Sequence, residues 1–432
     1  MKDTIFALST ASGKAGISIV RISGSRSFGA LKELTGSVPE PRKAILRKLW
    51  FQGQLLDECI VLCFATNASF TGEELVELHL HGSSAVVSKV LAVLGGFDKF
   101  RMAEPGEFTR RALYNSRLDL SQVEGLSDLL NAETESQQKQ SLKLMTGALG
   151  KKVSGWRKDI LYALALTEVM IDFSDEDVPE NTLPKIKKLV SRLLVELKKE
   201  LRGYKAAEIV RNGFNVVILG RPNSGKSSLI NFLSGRDISI VSDISGTTRD
   251  IMEAKLNING EQVNFFDTAG IQDTDDPIEK IGIKKALKIA RNADLRVFLL
   301  EPDDQPEKYD LFSSEGNLYF RAKCDINKKH PYKGLSSRTG EGIPELIETI
   351  TELLKSKVSA AGLVVNERHK DSISKTVILL NSVNENLNGY GCEVELLAED
   401  LRVSIQNFDL LIGKIDVEHV LENIFSSFCI GK

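Results

Sequence analysis

Apolar and polar positions change period several times along this chain. Ile17-Ser18-Ile19-Val20-Arg21-Ile22, closed by Ser23-Gly24, predicts a strand, and Leu75 to Leu80, which alternates and ends at His81-Gly82, predicts a second. Ala85 to Leu94 has helical spacing, so residues 1–118 are expected to form an α+β domain. From Asp119 the strand pattern stops. Ser121-Gln122-Val123-Glu124 has the spacing of a capping box, in which the hydroxyl takes one orphan amide and the carboxylate another. Val123, Leu126, Leu129 and Leu130 then recur at helical spacing. Further helices are predicted over Trp156 to Met170 and Pro184 to about Lys205, where Pro184 suits a first turn because it lacks only an amide that would be unpaired there.

At Phe214 the period changes again. Phe214 to Leu219 is a continuous apolar strand of the kind covered on both faces. Strand patterns recur at Ile251–Ile258, Glu261–Phe266, Leu295–Leu300 and Asn317–Phe320, and Asn259-Gly260 marks a hairpin. Glu367 to Asn386, Glu393 to Leu411 and Val417 to Phe425 are helical once more, with Asp416 placed as a cap. The expected layout is an N-terminal α+β domain at 1–118, a helical domain in two parts at 119–211 and 356–432, and an α/β domain inserted at 212–355.

Composition narrows the class. A chain of 432 residues suggests about three domains. With 56 basic against 59 acidic side chains, bulk positive charge does not hold this protein to nucleic acid. No apolar run approaches the ~18 residues of a membrane span, and the first residues lack the pattern of a signal peptide. Five widely spread cysteines argue against a disulfide framework and for a reducing, cytoplasmic setting.

Candidate chemistry begins directly after the apolar strand. Gly220-Arg221-Pro222-Asn223-Ser224-Gly225-Lys226-Ser227 fits the P-loop pattern and leads into a helical run through Leu229, Ile230 and Leu233. Backbone amides of Asn223, Ser224, Gly225 and Ser228 can close around phosphate oxygens, Lys226 can reach the terminal phosphates, and Ser227 can ligate Mg²⁺. Asp267-Thr268-Ala269-Gly270 ends a strand where the aspartate can hold Mg²⁺ through water and the Gly270 amide can sense a γ-phosphate. Gly246-Thr247-Thr248-Arg249-Asp250 occupies a switch position, with Ser242, Asp243, Ile244 and Ser245 just ahead of it in the same expected nucleotide site. Thr248 would complete the Mg²⁺ shell only when the γ-phosphate is present, which gives an order–disorder switch.

Guanine recognition is expected from Ala322-Lys323-Cys324-Asp325, where translational-type GTPases carry Asn-Lys-x-Asp. Asp325 can accept from guanine N1 and N2, Lys323 can lie along the base, and Ser336-Ser337-Arg338 fits the loop whose backbone meets O6. Ala322 lacks the amide, so nucleotide affinity is expected to be lower by on the order of 1–2 kcal/mol. Pro302 to Glu315 is poor in helix signals where this fold has a helix. Ile271 follows the Asp-x-x-Gly motif and cannot orient an attacking water as a glutamine does. Glu279 can serve instead or be a solvated helix carboxylate, and Arg249 is an arginine finger or a surface residue.

Gly-x-Pro-Asn-x-Gly-Lys-Ser-Ser, Gly-Thr-Thr-Arg-Asp and Asp-Thr-Ala-Gly together resemble the Era/TrmE-type GTPases. Arg21-Ile22-Ser23-Gly24, Ser69-Phe70-Thr71-Gly72-Glu73, Pro105-Gly106-Glu107-Phe108-Thr109 and Phe428-Cys429-Ile430-Gly431-Lys432 narrow the resemblance to the tRNA-modification GTPases of the MnmE (TrmE) family, over essentially the full length. That resemblance implies GTP hydrolysis coupled to carboxymethylaminomethyl or aminomethyl addition at C5 of the tRNA wobble uridine. It further implies a homodimer, an MnmG/GidA-type partner that carries FAD, and a 5-formyl- or 5,10-methylene-tetrahydrofolate one-carbon donor.

By the same resemblance Arg21, Glu77 and Lys432 match folate contacts, and Arg117 stands where lysine is usual. Asn223, Ser242, Ile244 and Thr247 match a K⁺ cage that replaces an arginine finger, and Glu279 matches the residue that orients water. Cys429 is then a candidate catalytic thiol beside the folate pocket, with a prenylated or a buried inert cysteine as the alternatives. His79 and His81 share a strand face as metal ligands can, although no third ligand is apparent. Cys59 and Cys63 suggest core, and the lysines from Lys185 to Lys205, with Glu196 and Glu200, suggest a solvated helix face or a tRNA track. The rival functions are a ribosome-assembly GTPase and a GTP-gated scaffold without modification chemistry.

Overall fold

The computed structural model describes residues 3–172, 182–235, 252–267, 287–304, 316–326, 331–387, 393–415, 421, 424–425, 428 and 430–431. The chain divides into two compact units. One comprises Met1–Leu130, Leu144–Ser191 and Ile378–Lys432, and the other Asn131–Lys143 and Arg192–Val377.

In the first unit the predicted strands at Ile17 and Leu75 become neighbours in a six-stranded sheet. Its strands are β1 (Thr4–Leu8), β2 (Ile17–Ser23), β3 (Ile45–Phe51), β4 (Gln54–Phe64), β5 (Leu75–His81) and β6 (Phe100–Met102), in the order β3-β4-β5-β2-β1-β6. All neighbours are antiparallel except β1 and β6. Helices α1 (Ser27–Thr35) and α2 (Ser84–Gly95) cover one face, burying Leu31, Leu34, Val87, Val90 and Leu94 against Val20, Ile22, Val61 and Leu78. Cys59 and Cys63 lie on that buried face, as expected of core thiols, and burial pushes their pKa values up to about 12 and about 11. The alternation leaves Leu46, Trp50 and Ile60 exposed on the opposite face.

Below the sheet, α3 (Glu107–Tyr114) inserts Arg111, the largest fully buried side chain described. Its guanidinium donates to Glu107 at 3.0 Å, to Glu73 at 3.0 Å and to the Asp3 carbonyl at 3.0 Å. Arg101 adds two bonds to Glu107, at 2.8 and 2.6 Å, and Ser23 donates to Glu73 at 2.8 Å. Gly106, at φ 67°, starts this helix, and a Cβ there would lie 2.6 Å from the Phe425 ring.

The helical part of this unit begins with α4 (Leu120–Leu130). Its cap differs from the expected Ser121/Glu124 box. Asp119 Oδ1 accepts the Gln122 N–H at 2.9 Å and Gln122 Oε1 accepts the Asp119 N–H at 3.0 Å, so the same reciprocal device operates two residues earlier. Ser121 lies inside the helix and donates to Asp119. Along the chain follow α5 (Glu135–Met145), most of which belongs to the second unit, α6 (Ala148–Asp172) in the first, and α7 (Thr182–Asn212), which is divided between the two at Ser191, with Pro184 in its first turn as expected. A late helix, Val394–Ile412, packs on α6 through Trp156 and Phe408, whose rings are 5.8 Å apart, and through Arg157 and Asp409 at 2.8 Å. Asp416 and most of the expected helix from Val417 lie outside the described residues.

The second unit is built on a sheet of β7 (Phe214–Gly220), β8 (Met252–Ile258), β9 (Glu261–Asp267), β10 (Leu295–Leu300), β11 (Asn317–Ala322) and β12 (Gly334–Leu335). Its order is β12-β11-β10-β7-β9-β8, parallel except for the β8–β9 hairpin. Asn259 and Gly260, at φ 53° and 87°, turn that hairpin as predicted. Helix α8 (Lys226–Ser234) and the amphipathic helix Ile343–Val358 bury Leu229, Leu233, Leu346, Ile350 and Leu354 against Val216, Ile218, Val263 and Val297. Part of α5 belongs to this unit through a buried series of side-chain amides. Gln137 donates to Gln262 at 2.8 Å, Gln262 to Asn264 at 2.8 Å, and Asn264 to Asn215 at 2.9 Å. On α7, Lys185, Lys187, Lys188, Lys198, Lys199 and Lys205 are exposed, as both a solvated face and a tRNA track require. Glu200 does not belong to that face, because it is buried and accepts the Leu363 N–H at 3.0 Å.

Burial alone would raise the pKa of the Glu107 carboxyl. Bonds from Arg101, the Glu104 amide and Arg111 outweigh it and hold the value down at about 2. The stabilisation from this group is therefore fully present above its unfolded pKa of about 4.3 and is lost as pH falls towards about 2. In urea titrations, wild type should lose roughly 3 kcal/mol from this source over that window. Glu107→Gln should lack that component and be about 3 kcal/mol or more less stable at neutral pH, since it leaves Arg111 buried and short of a partner. Parallel pH profiles for the two proteins would contradict this assignment.

Candidate functional site: a nucleotide cavity and an ion pair on the N-terminal sheet

The central strand β7 is buried along its length and delivers the chain into a tight loop before α8. Asn223 at φ 63° and Gly225 at φ 100° make the reversal. A side chain at Gly220 could not be accommodated, because its Cβ would lie 2.7 Å from both the Leu299 carbonyl and Ser224 Oγ. Lys226 begins the helix, and its amine is held by the Gly220 carbonyl at 3.1 Å and the Arg221 carbonyl at 2.9 Å. Burial lowers its pKa, partly offset by the carboxylates of Asp267 and Glu301. The first-turn amides of α8, those of Lys226, Ser227 and Ser228, sit at the positive end of the helix, which favours an anion.

Asp267 lies at the end of β9, next to β7, and its Oδ2 accepts from Ser227 Oγ at 2.5 Å. A hydroxyl and a carboxylate, both hard oxygen donors and neither buried, suit Mg²⁺. Across the sheet, Ser224 and Gly225 line a cavity of about 130 Å³ with Lys323, Asp325 and Ser336 to Arg338, walled by Leu299, Ala322, Ile326 and Leu335. The structure thus brings the phosphate loop and the expected base-recognition residues onto one cavity, although about a hundred residues separate them. Ser336 Oγ donates to Asp325 Oδ1 at 2.8 Å and accepts from the Arg338 and Thr339 amides at 3.3 Å. These bonds fix the aspartate's orientation and close the 336–339 turn.

Several expected residues fall outside the described ones: Ser242, Asp243, Ile244, Ser245, Gly246, Thr247, Thr248, Arg249, Thr268, Ala269, Gly270, Ile271, Glu279, Cys429 and Lys432. The 305–315 stretch lies outside them too. Asn223 is the one described member of the potassium set.

In the other unit, Arg21 and Glu77 face each other in the β2–β5 register. Arg21 gives Glu77 Oε1 two bonds, at 3.0 and 2.8 Å, while its third nitrogen lies 3.4 Å from the Gly431 carbonyl. The guanidinium stands 5.8 Å from the Phe70 ring centre and 5.7 Å from that of Phe108. Arg117 is exposed, with its stem beside Gly72, and makes no bond to this pair.

His79 Nε2 lies 3.6 Å from Glu77 Oε2, and His81 pairs with Asp57 at 2.7 Å, so the two histidines have different carboxylate partners. Among the described residues no cluster of three or more His, Cys, Asp and Glu side chains could hold a metal ion. Sequence reasoning missed Glu301 and Asp304, which contact Lys323 and Arg221. No local pattern marks them, because the contacts join separate strand ends.

Residues 120–429 match the family described as MnmE helical domain, and residues 4–117 match that of the GTP-binding protein TrmE N-terminus. The tRNA modification GTPase MnmE of Cereibacter sphaeroides (strain ATCC 17029) is 47% identical over 430 residues, covering all of both chains. The one from Roseobacter denitrificans is 45% identical over 431 residues, again covering both in full. Among solved structures, a point variant of Aquifex aeolicus Era bound to GDP and AlF4⁻ is 30% identical over 32% of this chain and 56% of that one, at a TM-score of 0.26. With a nucleotide cavity in one unit, the Arg21–Glu77 pair in the other and full-length relatives across both, the chain belongs to the MnmE family of tRNA modification GTPases.

Proposed function

We propose that this protein hydrolyses GTP as one subunit of the machinery that modifies C5 of the tRNA wobble uridine. The observation that carries the nucleotide half is the single cavity shared by Ser224, Gly225, Asp325 and Ser336. The modification half rests on the full-length likeness to relatives named tRNA modification GTPase MnmE. The domain layout proposed is 1–118, 119–211 with 356–432, and 212–355. The setting proposed is the cytoplasm; among the described residues no helix is long and apolar enough to cross a membrane.

In hydrolysis a water oxygen bonds to the γ-phosphorus while the bond to the β–γ bridging oxygen breaks, giving GDP and phosphate. Lys226 and the first-turn amides of α8 offset the negative charge on the β- and γ-phosphates. Asp325 accepts from guanine N1 and N2, and Lys323 lies along the base. Mg²⁺ would be held by Ser227 and Thr248, with Asp267 acting through water, and would neutralise phosphate charge. K⁺ would be held by Asn223, Ser242, Ile244 and Thr247 in the role of an arginine finger. Glu279 orients the attacking water.

The N-terminal sheet is the proposed folate site, with Arg21, Glu77, Arg117 and Lys432 as contacts and Cys429 beside it. Its exposed face, where Leu46 is 59% and Trp50 46% accessible, suits a second copy of the chain. The redox partner in this reading is an MnmG/GidA-type protein that carries FAD.

Mass spectrometry of tRNA nucleosides tests the reading as a whole. In a strain lacking the gene, this chain should restore the modified wobble uridine and Glu279→Ala should not. Unmodified uridine in both, with GTP hydrolysis intact, would favour an assembly or scaffold GTPase. Hydrolysis should run faster in K⁺ than in Na⁺, and equal rates would remove the potassium cage. Ala322→Asn should tighten GDP binding by roughly five- to thirtyfold in a direct titration, as an added hydrogen bond of 1–2 kcal/mol would. No gain would place the guanine N7 edge out of reach of position 322.

A further inference from the structure

The turn after β10 touches both halves of the nucleotide site. Asp304 sits in it with its side chain 2% exposed. Its Oδ2 accepts the Glu301 N–H at 2.9 Å, and its own N–H donates back to the Glu301 carbonyl at 3.0 Å, so the turn closes on itself. Its Oδ1 lies 2.6 Å from Arg221 Nε. Arg221 belongs to the phosphate loop, and its carbonyl accepts the Lys226 amine at 2.9 Å and the Ser224 N–H at 3.2 Å. At the start of the same turn, Glu301 Oε1 lies 3.5 Å from the Lys323 amine. Lys323 follows β11 at φ 53°, and the residue before it, Ala322, is buried and has an apolar side chain.

We infer that Asp304 is a positioning residue for nucleotide binding, holding the phosphate loop through Arg221 and the base loop through Glu301. The inference deepens the GTPase reading and rests on it. Neither Asp304 nor Arg221 lines the cavity, so both act on the ligand through the backbone they hold. A buried carboxylate is costly to leave without its cation, so the closed turn and the anchored Arg221 form together. A nucleotide that spans the two loops gains from finding them already fixed at the separation it needs. Lys226 and Ser227, the described residues proposed to serve the terminal phosphates, are carried by α8, so the effect falls on binding rather than on turnover.

The test uses the full-length chain as wild type, Asp304→Asn, Arg221→Gln and the double variant. Release of a fluorescent GDP analogue, GTP KM and kcat, and the thermal midpoint without nucleotide are measured. Arg221 is 41% exposed and tolerates loss of its partner, whereas Arg221→Gln strands the buried Asp304 carboxylate, so Asp304→Asn and the double variant keep the test open if Arg221→Gln loosens the fold. Each single change should raise the release rate and KM about tenfold, as loss of one charge-assisted contact would, with kcat within about twofold. The double variant should be no worse than either single, because all three break the same tie. Glu301→Gln should raise KM alone, by about threefold. Unchanged release in both single variants, additive losses in the double, or a fall in kcat at constant KM would each overturn the inference while leaving the GTPase reading in place. Failure of wild type to bind the analogue would overturn both.

Discussion

The parallel register of β9, β7, β10 and β11 is the constraint on which the nucleotide site depends. Ile218 stands opposite Asp267, Leu299 opposite Gly220, and Leu300 opposite Arg321. These pairings bring the phosphate loop, the Asp267 carboxylate, the Glu301–Asp304 turn and the Lys323–Asp325 loop to one edge of the sheet. After β7 the chain proceeds first to β8 and β9 on one side, then to β10 and β11 on the other. The carboxyl end of β7 is therefore a topological switch point, where open α/β sheets form their ligand crevice. A one-residue slip would turn Asp267 away from Ser227 and remove the oxygen pair suited to Mg²⁺.

The N-terminal unit depends on a different interaction. The Ser69–Glu73 and Pro105–Thr109 stretches resemble family signatures, yet much of what they do in the structure is internal. Glu73 and Glu107 neutralise Arg111, Ser23 and Thr71 share a bond at 2.7 Å, and Gly106 leaves room for Phe425. Buried charge of this kind is tolerated because two carboxylates pair with the Arg111 terminal nitrogens, although its Nε has no hydrogen-bond partner among the described residues. The network joins the first residues of the chain, the sheet and α3. Phe108, from the same helix, stands beside the Arg21 guanidinium. The motif thus places an aromatic ring beside the Arg21–Glu77 ion pair.

The second unit carries a comparable polar series that is neutral. Gln137, Gln262, Asn264 and Asn215 bond in sequence within the interior, linking part of α5 to β9 and β7. Each amide is both donor and acceptor, so one chain of bonds satisfies several buried groups without an ion. β9 carries both Gln262 and Asp267, and a strand anchored by its side chains at one end presents its last carboxylate at a defined place.

Much was legible in the sequence because it rests on local chemistry. The apolar run at Phe214–Leu219, the glycines and lysine that follow it, and Asn259-Gly260 each specify their backbone by their own residue types. The pattern placed β11 two residues short, and it put the α4 cap at Ser121 where Asp119 serves. Both errors lie at element ends, where neighbouring residues offer equivalent bonds. The sequence by itself determined β2, β5, α2, the strands β7 to β11 and the phosphate loop, while α1, β3, β6, α3 and α5 carried no pattern that set them apart. Only the tertiary structure decided that Asp304 meets Arg221, that Glu200 turns inward to Leu363, and that Arg21 pairs with Glu77. These contacts join residues far apart in the chain, and strand register and helix packing, which no local pattern encodes, bring them within bonding distance.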